Sequence, residues 1–232
     1  MTGAQAMILA AGRGERMRPL TDSCPKPLLE VRGRPLLQYH LEALARAGFD
    51  QAVINTAWLG QQIEDRFGPR LEQLEIRYSN EGRDFGGALE TAGGIARALP
   101  GLADCFWLVG GDVHVPQFGF SRDALQQFDQ SGRLAHIVLV PNPAHNLKGD
   151  FDLRPDGVVL REGAPRFTYS TIGMYRRQFF ASLPAGNPAG IKAPMLPLLL
   201  EAIDNQQLTA EVYTGAWTDV GTPERLAQLN QS

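Results

Sequence analysis

The stretch from Met7 to Leu28, MILAAGRGERMRPLTDSCPKPL, carries the residue types that polyphosphate chemistry needs. A short apolar run, Met7-Ile8-Leu9, ends in Ala10-Ala11-Gly12. Gly12-Arg13-Gly14 follows, then Arg16 and Arg18, and Lys26 stands between Pro25 and Pro27. A strand that runs into a small, glycine-bearing turn exposes successive backbone N–H groups, which cradle phosphate oxygens. Arginines add bidentate donors for the same oxygens, and lysine adds a movable point charge. A second chemical feature is Asp112, which follows Gly110-Gly111 at the exit of the apolar run Phe106–Val109. Mg²⁺ takes one or two protein carboxylates plus phosphate oxygens and water, so a carboxylate behind two glycines is placed for a metal-bound triphosphate.

The charge balance narrows the ligand. The whole chain has a formal net charge of -3, which argues against nucleic acid or an anionic membrane as a general partner. The glycine-bearing stretch holds Arg13, Arg16, Arg18 and Lys26 against Glu15 and Asp22, so it is locally cationic. A local cationic loop in an acidic chain points to a small anion, a nucleoside triphosphate above all. Cys24 and Cys105 are too few and too distant in sequence for a disulfide framework or a zinc site. No apolar run has the length of a membrane span and the N-terminus has no signal-peptide pattern, so a reduced cytoplasmic location is expected.

The elements that must hold these residues follow from punctuation and periodicity. Pro35 to Ala47 reads as a helix with proline at its start and Gly48 past its end. Strands are expected at 7–9, 52–55, 74–78 and 106–109, with a short helix at 61–67 and another at 94–99 after a glycine-rich loop, 79–94. This alternation predicts a mostly parallel sheet with helices on both faces. Ligands of such sheets bind beyond the carboxyl ends of the strands, where the cationic loop begins. A helix within 120–130 and a strand at 135–140 come next. Short strands at 150–153, 158–160 and 167–175 with a Pro-Asp-Gly turn predict a small antiparallel flap. A leucine-rich helix at 194–203, a strand at 211–213 and a helix at 223–229 complete the chain.

The pattern L-A-A-G-x-G-x-R-x-x-P-L-T followed by P-K-P-L resembles the signature of the sugar-1-phosphate nucleotidyltransferases. The resemblance implies a Rossmann-like α/β domain spanning residues 1–232, with 1–115 mainly binding nucleotide and 116–232 mainly binding sugar. It assigns the triphosphate to Leu9, Ala10, Ala11, Gly12, Gly14 and Arg16. Arg18 would hold the departing phosphates and Lys26 the reacting ones. Glu81 and the Leu89-Glu90-Thr91 run would read the base through Glu81, Glu90 and Thr91. Trp217-Thr218-Asp219-Val220-Gly221-Thr222 is similar to the segment bearing the family's second metal carboxylate, so Asp112 and Asp219 would share Mg²⁺. Asn142, Asp150, Thr168, Thr171 and Lys192 are the expected sugar contacts.

The branch most similar to this chain is the N-acetylmuramate 1-phosphate uridylyltransferases of cell-wall recycling, on the runs Asn55–Gly60, Leu89–Thr91 and Gly149–Phe151. It implies UTP and a sugar 1-phosphate as partners. A mannose 1-phosphate guanylyltransferase is the alternative, and a regulatory protein that binds nucleotide sugars without turnover is a third reading. The expected assembly is a monomer or small homo-oligomer. The expected reaction is in-line attack of the sugar phosphate on the α-phosphorus. It needs no general base, because a phosphate monoester with a second pKa of about 6 is mostly dianionic at neutral pH.

Overall fold

The computed structural model describes residues 3–231. In chain order its elements are β1 (Gln5–Ala10), the two-residue strands β2 (Glu30–Val31) and β3 (Arg34–Pro35), α1 (Leu36–Arg46), β4 (Gln51–Thr56), α2 (Gly60–Phe67), β5 (Arg70–Leu71), β6 (Leu74–Asn80), α3 (Glu81–Phe85), α4 (Glu90–Ala98), β7 (Cys105–Gly110), β8 (Val113–His114), α5 (Arg122–Ser131), β9 (Ala135–Val140), β10 (Phe151–Leu153), β11 (Val159–Leu160), β12 (Arg166–Arg176), α6 (Leu196–Asp204), β13 (Leu208–Val212), β14 (Thr218–Asp219) and α7 (Pro223–Gln231). Among the described residues no helix is long and apolar enough to cross a membrane.

One sheet runs in the order β11-β10-β12-β7-β1-β4-β6-β5, and β9 and β13 join it through β12. The β7-β1-β4-β6 block is parallel. All six residues of β4 and all six of β7 are buried, as befits central strands covered on both faces. β12 turns the sheet antiparallel: Ile172–Arg176 pair with β7, and Arg166–Phe167 pair with β10. The flap expected at 150–175 is therefore an extension of the main sheet, carried by one long strand. The period of two along β1 divides the core. Ala6, Ile8 and Ala10 face one hydrophobic cluster together with Leu37, Leu41 and Leu44 of α1. Met7 faces the other, together with Ile95 of α4 and Leu199 of α6. A third, smaller cluster brings Met17, Leu29, Val31 and Leu36 against Val220 and Leu226.

The stretch 79–94 differs from the expected loop. It folds as α3 and then α4, which starts at Glu90 rather than Gly94. Asn80 caps α3 by accepting from the Arg83 N–H at 2.9 Å, a signal hidden by the surrounding glycines. The strand expected at 211–213 occupies 208–212, alongside β9, and the short β14 follows it.

Candidate active site

The loop after β1 is folded by three 3₁₀ turns, Glu15–Met17, Leu20–Asp22 and Lys26–Leu28. Gly14 turns with φ +68, and a Cβ there would meet Thr21 at 3.0 Å and the Lys26 Cβ at 3.3 Å. The loop therefore closes on itself, and Lys26 is delivered back to the sheet edge. Its side chain is only 10% exposed, and Nζ lies 2.6 Å from Asp112 Oδ2. Asp112 enters from the end of β7. Gly111 must approach closely there: its N–H donates to the Leu9 carbonyl at 2.8 Å, and a Cβ would sit 2.7 Å from that oxygen.

Asp219 reaches the same place from a distant part of the sequence. β14 pairs antiparallel with β8 so that Asp219 faces Val113, and the Val220 N–H donates to the Asp112 carbonyl at 3.0 Å. Asp112 and Asp219 then line one cavity of about 340 Å³ with Arg16, His145 and Thr168. Asp219 Oδ2 accepts from Arg225 Nη1 at 2.7 Å, and His145 Nε2 is 3.6 Å away. Each carboxylate gives its Oδ2 to a cation. Among the described residues no hydrogen bond reaches either Oδ1. Two partly open carboxylates with free oxygens are hard donors of the kind Mg²⁺ takes.

A second cavity, about 260 Å³, opens from Leu9, Ala10, Ala11 and Gly12 across Lys26 and Asp112 to Glu90 and Thr91. Its floor is a buried hydrogen-bond chain. Ala10 N–H donates to Asn55 Oδ1 at 2.8 Å, Asn55 Nδ2 donates to Glu81 Oε1 at 2.7 Å, and Leu89 N–H donates to Glu81 Oε2 at 2.7 Å. Burial pushes the Glu81 carboxyl up. The Leu89 N–H, the Asn55 amide and the Arg97 charge oppose that shift. Gly94 makes room for this network, since a Cβ there would lie 2.4 Å from Glu81 Oε1. Two strand ends, of β1 and β4, and the starts of α3 and α4 are thus tied together directly beneath the cavity.

The third and largest cavity, about 620 Å³, lies under α6 and is walled by Asp150, Arg166, Tyr169, Met195 and Leu199. Thr171 lines all three cavities. The register of β12 against β9 slips between Tyr169 and Ile172, and Thr171 sits in that bulge with φ +62. Bulges of this kind bend a strand and re-aim a side chain beside a site. Here the bend places Thr171 against Gly110, where a Cβ would meet Thr171 Oγ1 at 2.5 Å.

A family model described as nucleotidyl transferase matches residues 5–149. The chain belongs to that family. It is 46% identical, over 97% of its length and 96% of the relative's, to the N-acetylmuramate alpha-1-phosphate uridylyltransferase of Neisseria meningitidis serogroup B. It is 31% identical over 96% of its length to the mannose-1-phosphate guanylyltransferase catalytic subunit beta of Drosophila pseudoobscura pseudoobscura, of which it covers 60%. In fold it is similar to HddC from Yersinia pseudotuberculosis complexed with GMP-PN, with TM-score 0.72, 20% identity and 98% of both chains covered.

Within this nucleotidyl transferase several expected contacts lie elsewhere. Arg18 does not reach the cavities: its half-exposed guanidinium pairs with Asp22 at 2.8 Å, and Arg16 lines the aspartate cavity instead. Arg13 lies 3.8 Å over the Trp58 ring, and both donate to the Thr21 carbonyl, so it braces the loop. Gly14 shapes the turn and does not line the cavities. Glu81 is fully buried with both oxygens engaged, to the Asn55 amide and the Leu89 N–H, so it braces the 260 Å³ cavity. Asn142 is spent on Thr168 and on the Arg166 carbonyl. Lys192 is exposed in the segment before α6 and lines none of the three cavities. Asn55, Arg225, His145 and Arg166 were missed as site residues. Only Asn55 carried a signal, as a polar residue at the end of an apolar strand. His114 is buried edge-on to Tyr39 and stands outside the cavities.

Proposed function

We propose that this chain transfers a uridylyl group from UTP to N-acetylmuramate 1-phosphate, releasing pyrophosphate. The observation that carries the reading is the meeting of Lys26, Asp112 and Asp219 where the nucleotide cavity joins the aspartate cavity. The near full-length likeness to the meningococcal uridylyltransferase supports the choice of base and sugar.

The backbone at Leu9–Gly12 receives the triphosphate and Glu90 and Thr91 border its base. Lys26 sets its ammonium at the junction, so it neutralises charge on the phosphates that come together there. Arg16 faces the same cavity and adds a second cation for the phosphates. Asp112 and Asp219 would hold Mg²⁺, which when bound offsets the charge of the polyphosphate. The sugar phosphate, already dianionic at neutral pH, attacks the α-phosphorus, and pyrophosphate leaves on the far side. The protein therefore contributes positioning and charge, and no side chain has to remove a proton. Residues 1–115 serve mainly the nucleotide and 116–232 mainly the sugar, in one domain. A cytoplasmic role in peptidoglycan recycling follows from this substrate.

The test is pyrophosphate release with UTP or GTP against N-acetylmuramate 1-phosphate, mannose 1-phosphate and glucose 1-phosphate, with Mg²⁺ and with excess chelator. The expected result is turnover with UTP and N-acetylmuramate 1-phosphate that stops on chelation. A preference for GTP and mannose 1-phosphate would replace the assignment with the guanylyl one. Release that survives the chelator would remove the metal role.

A further inference from the structure

The 620 Å³ cavity holds three charged side chains that differ in how their charge is met. The Asp150 carboxylate is satisfied inside the protein: Oδ1 accepts from Asn146 Nδ2 at 3.1 Å and Oδ2 from the Tyr169 N–H at 2.8 Å. Arg161 is paired with Asp204 and also donates to the Leu200 carbonyl at 3.0 Å. Arg166 has no such counter-charge. Among the described residues its side chain makes one hydrogen bond, from Nη2 to the main-chain carbonyl of Asp150, and no carboxylate pairs with it. Its Nε is buried without a partner, and among the described residues it is the only such buried orphan on a residue lining these cavities.

A guanidinium that is partly withdrawn from water and faces no carboxylate favours an anion. Nη1 makes no hydrogen bond among the described residues, and its hydrogens suit a carboxylate oxygen. The wall around it is apolar, with Phe151, Met195, Leu196, Leu199 and Leu200. That pairing of one cation with an aliphatic wall matches a short acid bearing a methyl group. N-acetylmuramate differs from N-acetylglucosamine by such a substituent, a lactyl ether. We propose that Arg166 receives the lactyl carboxylate and selects the acidic sugar over its neutral parent. The inference rests on the function proposed above and names the residue by which the sugar is told apart.

The experiment compares wild type, Arg166→Met and Arg166→Lys. The sugars are N-acetylmuramate 1-phosphate and N-acetylglucosamine 1-phosphate, each measured with UTP as substrate or as competitive inhibitor. For Arg166→Met, KM for N-acetylmuramate 1-phosphate rises about 10–100-fold, the loss of one charge-assisted contact. KM for UTP and the value for the neutral sugar change by less than about twofold, so the preference between the sugars collapses. Arg166→Lys keeps the charge without the fork and recovers part of the preference. Equal losses for both sugars would mean that Arg166 meets the phosphate, and would overturn the proposal. An unchanged preference would overturn it too. A folding defect would show as a lowered melting temperature and a raised KM for UTP, and the lysine variant then decides. If wild type fails to use N-acetylmuramate 1-phosphate at all, the proposed function falls before any variant is made.

Discussion

Acidification should loosen the floor under Asp112, and the residue responsible is His40. It sits on α1 at 2% exposure, with Nε2 2.9 Å from the Val113 carbonyl. A carbonyl only accepts, so Nε2 carries the proton of the neutral ring and donates to Val113. Burial pushes the imidazole down from 6.5 to about 4. The Val113 carbonyl and the Asp112 charge pull it back up, and His114 adds to the lowering. Between those two values the unfolded chain binds a proton that the folded chain refuses. Stability is therefore whole above about pH 6.5 and is lost as the pH falls towards 4. Going from pH 7.5 to pH 5, the linkage relation gives a loss of about 2 kcal/mol from this residue alone. With a urea slope of about 2 kcal/mol/M, the unfolding midpoint should fall about 1 M further in wild type than in His40→Gln over that pH step. Burial also lowers His114 and His136, but both remain in the variant and cancel in the comparison. Urea titrations at the two pH values measure the difference. Parallel pH dependence in the two proteins would refute the reasoning, because it would mean that the His40 ring is solvated or charged in the fold.

Two further predictions follow from the site. Lys26→Met should cut kcat about 10²–10³-fold with only a small change in melting temperature. The Asp112 that loses its partner is 39% exposed and is rehydrated rather than stranded, and unchanged turnover would remove Lys26 from the chemistry. Glu81→Ala should cost about 3 kcal/mol, or about 6–12 °C in Tm for a chain of this size, because it leaves the Asn55 amide and the Leu89 N–H buried without an acceptor. A thermal melt within a degree of wild type would show that the chain of hydrogen bonds carries no load.

Local signals in the sequence reached as far as local physics decides the outcome. The parallel block was legible because β4 and β7 each carry a short apolar run, Ala52–Ile54 and Phe106–Val109, with helix-forming sequence between them. Lys26 and Asp112 were legible because a proline-flanked lysine and a carboxylate behind two glycines have few purely structural uses. Arginine partners were not legible. Arg13, Arg16 and Arg18 look alike in sequence, yet Arg13 stacks on Trp58 and shares Asp22 with Arg18, while Arg16 faces the aspartate cavity. That choice is made by partners brought in from elsewhere, such as Trp58 and Asp219, rather than by the local run. Glu81 was expected to meet a base, and only tertiary placement shows both its oxygens already engaged. Arg166 carried no local motif. Its distinction among the described residues is that no carboxylate pairs with it, a property of the packed cavity rather than of its surroundings in sequence.

The small cluster of Met17, Leu29, Val31 and Leu36 with Val220 and Leu226 has a temporal consequence. During synthesis, residues 17–36 leave the ribosome nearly two hundred residues before the side chains that will cover them. Until Val220 and Leu226 emerge, the lysine-bearing loop has an uncovered greasy underside, and Asp112 waits for Asp219 to join it. The nascent polypeptide can thus assemble its central strands early, whereas its candidate phosphate-handling apparatus is set only once residues 219–226 have been made.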